Sequence, residues 1–203
     1  MPRQPDFNNL LKVLQRQAPD RPTLFEFFLN APLYEKLAGP DYKPRGDRLD
    51  PFRRQIFAFA NAGYDYATIA GWLWKSLEFP AKAVDKLASH SLNATTVIHD
   101  RASFETYPWP DPDGDDYSIL ADAEAELPDG MKLIISGPGG VLENVIKLVG
   151  YETLCLLIVD DEQLVHDIFE AVGSRLVTYY RHCVAYPAVG AAISNDDWGF
   201  KTQ

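Results

Sequence analysis

Residues Met131–Asn144, MKLIISGPGGVLEN, decide how the fold is read. An apolar run (Met131, Leu133, Ile134 and Ile135, with Lys132 at the rim) leads into Ser136-Gly137-Pro138-Gly139-Gly140, and a helical pattern opens at Val141. A short apolar run bounded by Gly and Pro predicts a strand buried on both faces. The glycines let the backbone turn sharply or approach a ligand, and the following helix offers free N–H groups to an anion. Such a strand–loop–helix joint is the place where parallel α/β proteins keep their sites. Gly-Pro-Gly-Gly is not a phosphate-binding P-loop, because no Gly-Lys-Ser/Thr follows. It is not the dinucleotide fingerprint either, because Leu142 stands where the third glycine belongs. Two readings stay open for the motif, a plain tight turn and a loop that lines a site.

Outward from this joint, strands alternate with helices. Pro22–Leu29 (PTLFEFFL) is β-rich and flanked by breakers, which predicts a first strand, with Glu26 interrupting its apolar run. A carboxylate in a core strand needs a partner or a cavity, which marks Glu26. Tyr64–Ala70 predicts a second strand, followed at once by Trp72 and Trp74, and Val189–Ser194 a last one. Thr95–Ile98 also has strand character. Helices are predicted at Phe7–Gln15 behind an Asp6 cap, at Pro51–Asn61, around Ala81–Ala88, at Tyr117–Leu127, Leu142–Val149 and Tyr151–Val159. A long helix starts at Asp160, with Leu164, Ile168, Val172, Leu176 and Tyr180 on one face. Gly39–Asp50 and Asp100–Tyr117 read as loops. The strands at Pro22, Tyr64, Met131 and Val189 then form parallel βα units in sequential order, in a single domain over residues 1–203.

Composition limits the partners. A net charge of −10 and a pI near 4.8 argue against nucleic acid, whose phosphates need clustered Lys and Arg. The longest apolar stretch, Leu154–Val159, falls far short of a membrane span, and residues 1–6 are polar and unlike a signal peptide, so the expected address is the cytoplasm. Cys155 and Cys183 suggest no disulfide framework. His90, His99, His166 and His182 lack metal-ligand spacing, and no metal is expected on this chain.

The ordered set FEFF, AGYDYATIAG, MKLIISGPGGVLENV and GAAISNDDWGF, running from about Arg21 to Gln203, resembles the uroporphyrinogen decarboxylase-like superfamily. That superfamily includes the decarboxylase of haem synthesis and zinc-dependent methyltransferases that move methyl groups from corrinoids to thiols. The resemblance implies a TIM (β/α)8-barrel of which this chain carries about the first four βα units, as a truncated member. It also implies a small-molecule substrate and, in the full-length member, zinc and a corrinoid or corrinoid protein. FEFFLNAP lacks the Arg-rich segment of true decarboxylases, Trp72 stands at the position of their Asp, and Asn144 replaces an expected Tyr. The methyltransferase-like branch fits better, although its His-x-Cys motif is absent. By the same resemblance Asp197 and Glu143 are the expected catalytic residues, and Glu26, Trp72, Asn144, Asp196 and Trp198 the substrate-binding ones. The alternatives are a decarboxylase-type lyase on a porphyrinogen or other carboxylated substrate, and a non-catalytic half-barrel completed by a second chain. A half-barrel exposes strand edges, so self-association is expected.

Overall fold

The computed structural model describes residues 3–70, 77–81, 93 and 96–196. Packing groups the chain into two compact units. The first comprises Met1–Gly71, Asp116–Ser136 and Tyr180–Ile193, the second Trp72–Asp115, Gly137–Tyr179 and Ser194–Gln203. Each unit is assembled from separated stretches of chain, and one divide falls within Ser136-Gly137-Pro138-Gly139-Gly140.

The first unit holds a three-stranded sheet, β1 (Tyr66–Ala70), β2 (Lys132–Ser136) and β3 (Val189–Ile193), in the order β1-β2-β3. Both pairings are parallel, with Thr68 opposite Ile134 and Ile134 opposite Ala191. Three of the four expected strands are therefore present, parallel and sequential, in a mixed α/β structure. Leu133, Ile134 and Ile135 of β2 are all buried, as a strand covered on both faces requires.

Pro22–Leu29 is the expectation that fails. The segment bends at Phe27 and forms no ladder. The Glu26 amide donates to the Tyr66 hydroxyl (2.6 Å), and the Tyr66 and Thr68 hydroxyls donate to the Glu26 carbonyl (2.9 and 3.3 Å). The Glu26 carboxylate in turn accepts from the Phe27 amide (3.0 Å). Backbone groups engaged by side chains in this way are not free for strand pairing. Leu24, Phe25, Phe27 and Phe28 stay exposed, so their apolar character did not signify burial in a sheet.

Three helices precede β1. Helix α1 (Phe7–Leu14) starts at Asp6, whose carboxylate accepts from the Asn8 amide. The Phe7 amide donates to the Gly130 carbonyl (2.9 Å), which ties α1 to the entry of β2. Its ring lies on Gly190, where β3 carries one unpaired residue between Val189 and Ala191. A Cβ on Gly190 would sit 2.4 Å from that ring and 2.9 Å from Lys132 Cβ, so the bulge has to be glycine for Phe7 to seat. Helix α2 (Ala31–Ala38) was not anticipated; Asn30 caps it by accepting from the Leu33 amide. Helix α3 (Asp50–Asn61) buries Phe52, Ile56 and Phe59 against β1, and the Phe59 ring meets Tyr34, Tyr64 and Tyr66 at centroid distances of 5.0–6.1 Å.

Arg53 on α3 is buried with its guanidinium against Asp47 (3.1 Å), Glu126 (3.1 Å) and Asp50. Hydrogen bonds from Glu126 and then Asp47 push the Arg53 pKa up, and the Arg53 hydrogen bond holds the Asp47 carboxyl below its ordinary value. A buried cation is tolerated only with such partners. Glu126 lies just beyond α5 (Ile119–Glu124), so this cluster fixes α5 beside α3.

In the second unit, the expected loop over Asp100–Tyr117 contains helix α4 (Arg101–Thr106) and a 3-10 turn, Pro112–Gly114. Asp100 accepts from the Ser103 amide (2.8 Å) while Ser103 Oγ accepts from the Asp100 amide, a reciprocal cap that the sequence reading overlooked. Helices α6 (Val141–Val149), α7 (Tyr151–Asp160) and α8 (Glu162–Val184) follow, with α8 belonging to the first unit from Tyr180 on. Asp161, not Asp160, caps α8, accepting from the Leu164 amide. Leu164, Ile168, Val172 and Leu176 are buried as expected, but the stripe continues through Tyr179 and Cys183, and Tyr180 uses its hydroxyl to donate to Ile193 O (2.7 Å). Among the described residues no helix is long and apolar enough to cross a membrane. The strand character at Thr95–Ile98 yields no strand at the described residues 96–98, whose Val97 and Ile98 amides donate to Leu148 O instead. The helix expected around Ala81–Ala88 lies almost wholly outside the described residues.

Gly190→Ala should destabilise the protein by about 1–3 kcal/mol through overpacking. In a Phe7→Ala background, itself weakened by about 3 kcal/mol, most of the Gly190→Ala penalty should vanish. Urea unfolding of the four proteins measures this coupling, and strictly additive effects would contradict the seating of Phe7 on Gly190.

Candidate functional site

The loop after β2 and the first turn of α6 gather three of the residues singled out in the sequence. Helix α6 begins at Val141, with Gly140 at its N-cap. The first amides of a helix lack internal partners, and a capping side chain normally meets those at the second and third positions. Glycine has no side chain to do so. Asp196, three residues past β3, supplies the carboxylate instead: Oδ2 accepts from the Leu142 amide at 2.7 Å and Oδ1 from the Glu143 amide at 3.1 Å.

Glu143 completes the arrangement from the other side. Its carboxylate accepts from the Gly140 amide at 3.3 Å, the return half of a capping box. Gly140 and Asp196 thus divide between them the work of one capping residue. The substitution of glycine at the N-cap is forced by proximity. A Cβ on Gly140 would lie 2.2 Å from Asp196 Cγ and 2.4 Å from Asn195 O, so any larger residue would push the 195–196 segment away.

Asn144 is buried and faces back into the loop. Its Nδ2 donates to the Gly140 carbonyl at 2.8 Å and to Pro138 O at 3.4 Å. The Gly-Pro-Gly-Gly turn is therefore held by three side chains, Glu143, Asn144 and Asp196, each bonded to backbone. The expected open anion site at the start of α6 does face an anion, and it is this chain's own Asp196. A phosphate or carboxylate ligand could reach the Leu142 and Glu143 amides only by displacing that carboxylate.

The other expected site residues divide into two groups. Glu26 belongs to the first unit, where its backbone is bound by Tyr66 and Thr68 as described. Trp72, Asp197 and Trp198 lie outside the described residues. No group of three His, Cys, Asp or Glu side chains that could hold a metal occurs among the described residues. Cys183 is buried within α8 and Cys155 is exposed on α7.

The arginines beside the Pro22–Leu29 segment are also engaged. Arg21 Nη2 pairs with the buried Asp65 at 2.6 Å and donates to Gln4 O at 3.0 Å, and Arg3 reaches the same Asp65 at 3.5 Å. Neither sequence spacing nor residue type announced this pairing, because Asp65 is 44 residues from Arg21. The signal that could have found it is weak: a lone Asp just ahead of a buried strand needs a cation.

Asp196→Ala removes the cap and should cost about 1 kcal/mol. Gly140→Ala should destabilise more, because it both clashes with residues 195–196 and breaks the same cap. In the double variant the cap is already lost, so the two effects should add to less than their sum. Denaturant unfolding measures this; an Asp196→Ala protein as stable as the parent would contradict the capping role.

A comparison of the chain with protein-family models, with curated proteins and with solved structures found no match.

Proposed function

We propose that this protein is a uroporphyrinogen decarboxylase-like barrel protein of the methyltransferase-like branch, acting in the cytoplasm on a small molecule bound beyond the C-terminal ends of β2 and β3. The methyl group would come from a corrinoid or corrinoid protein and pass to a thiol. The observation that carries this reading is the junction just described. Loops leaving two strands of a parallel sheet are bound to one another, Asp196 of one to the α6 amides of the other. Parallel α/β proteins bind their ligands at the C-terminal ends of the strands.

A second observation favours methyl transfer over decarboxylation. A porphyrinogen carries several carboxylates and calls for free cations. Arg3 and Arg21, the arginines beside the Pro22–Leu29 segment, are bound to Asp65. In this reading Asp196 is a positioning residue, as are Glu143 and Asn144. They bind the backbone at the start of α6. Asp197 and Trp198 follow Asp196 directly in the chain and are assigned to the substrate, together with Trp72. Methyl transfer needs no charge-binding pocket for the acceptor: the sulfur forms the new S–C bond, the thiol proton goes to solvent, and the electron pair of the broken bond stays with the donor. No step is assigned to zinc held by the described residues.

The test uses the purified protein with methylcobalamin and 2-mercaptoethanol, with and without added zinc, and mass spectrometry to detect the methyl thioether. Thioether formation above the protein-free rate is expected, reduced at least about a hundredfold (on the scale of a lost transition-state contact) in Asp197→Asn with an unchanged unfolding midpoint. Absence of protein-dependent thioether, or release of carbon dioxide from uroporphyrinogen, would overturn the reading.

A further inference from the structure

A pocket of about 420 Å3 lies where the end of α2 and the start of α3 come together, lined by Glu35, Tyr42, Pro44, Pro51 and Arg54, with Asp50 at its edge. Its two neighbouring arginines differ in kind. Arg53 pairs through both terminal nitrogens with Asp47, Asp50 and Glu126, although its Nε, too, has no acceptor. The Arg54 side chain makes no hydrogen bond to any described residue, and its Nε is shielded from solvent without an acceptor. Its nearest carboxylate is Glu35, at 4.0 Å, the outer limit of an ion pair. A guanidinium so placed is short of partners, since its donors bind carboxylates best through short, paired hydrogen bonds.

The anions of the pocket differ in the same way. Asp50 accepts from the Arg45 and Gly46 amides at 2.9 and 2.7 Å as well as from Arg53, and those amide bonds hold its carboxyl below the ordinary range. Glu35 is 69% exposed, and among the described residues its carboxylate meets only Arg54. One under-used cation and one under-used anion thus stand side by side. The wall beside them is apolar. Tyr42 is pinned by its hydroxyl to Asp50 O (3.0 Å) and by its ring to Phe57 (5.7 Å between centroids), and Pro44 and Pro51 flank it.

We infer that this pocket binds a free α-amino acid with an aromatic or aliphatic side chain. The ligand carboxylate pairs with Arg54, its ammonium with Glu35, and its side chain lies along Tyr42 and the two prolines. An α-amino acid carries its opposite charges on neighbouring atoms, which matches two opposite side-chain charges in contact. A phosphate or a dicarboxylate would set extra negative charge against Glu35 and Asp50, and a simple amine would leave Arg54 unmet. The long Glu35–Arg54 contact offers little resistance, because exposed pairs of that kind contribute little stability. The volume falls within the range of small-molecule sites.

Titration calorimetry of the full chain with L-phenylalanine tests the inference, and it reads binding without turnover, so its outcome is separate from that of methyl transfer. Saturable one-to-one binding is expected, weakened at least about tenfold in Arg54→Gln. Glu35→Gln, at an exposed position where folding is not at risk, should weaken L-phenylalanine while leaving 3-phenylpropionate unchanged. 3-Phenylpropionate and phenethylamine should each bind the parent protein at least about tenfold more weakly than the amino acid. The inference is overturned by an absence of saturable binding of L-phenylalanine and L-leucine, by undiminished binding to Glu35→Gln, or by 3-phenylpropionate binding as tightly as L-phenylalanine.

Discussion

Strand β2 imposes the constraint from which the first unit follows. Its three central residues are buried, so none of its backbone amides or carbonyls can turn to water. Both edges have to be paired, and β1 and β3 supply the partners in parallel. Parallel neighbours cannot be joined by tight turns; they require crossovers, and the chain provides helices between successive strands. The outer features adapt to this core. Helix α3 covers β1 with Phe52, Ile56 and Phe59, and α1 reaches the sheet through Phe7, which needs a glycine bulge at 190 to seat.

The second unit shows how a local defect is met by a distant residue. Gly140 cannot cap α6, and Asp196 does so from 54 residues away in sequence. This arrangement trades a local interaction for one that joins two loops. A serine or aspartate at position 140 would cap the helix by itself but clash with the 195–196 segment. Functionally, the exchange removes the helix start as an open anion site and gives the loops a fixed backbone on which other side chains can be presented.

Much of the sheet was legible in the sequence because buried parallel strands announce themselves. YATIA, KLIIS and VGAAI are short, β-rich or small-residue runs bounded by Gly, Pro or Asp, and each became a strand. The long stripe on α8 was legible for the same reason, through its period. PTLFEFFL misled because its apolar content is as high, yet its backbone is held by the Tyr66 and Thr68 hydroxyls 40 and 42 residues away. The short helices α2 and α4 were hidden by proline and charge, since six to eight residues give too little periodicity. For the candidate site, the residue types stood out in the sequence and their bonding did not. Glu143, Asn144 and Asp196 all bind backbone around the start of α6. Their bonds to backbone depend on which amides lie unpaired in three dimensions, and no spacing rule encodes that. The same limit applies to the Arg53 and Asp65 clusters.

The central claim is a parallel sheet ordered β1-β2-β3, and backbone proton NOEs in isotopically labelled protein test it most directly. Parallel pairing predicts cross-strand contacts between Hα and amide protons around Thr68 and Ile134, and around Ile134 and Ala191, without short Hα–Hα contacts. Short Hα–Hα contacts between β2 and either neighbour would show antiparallel strands and contradict the account.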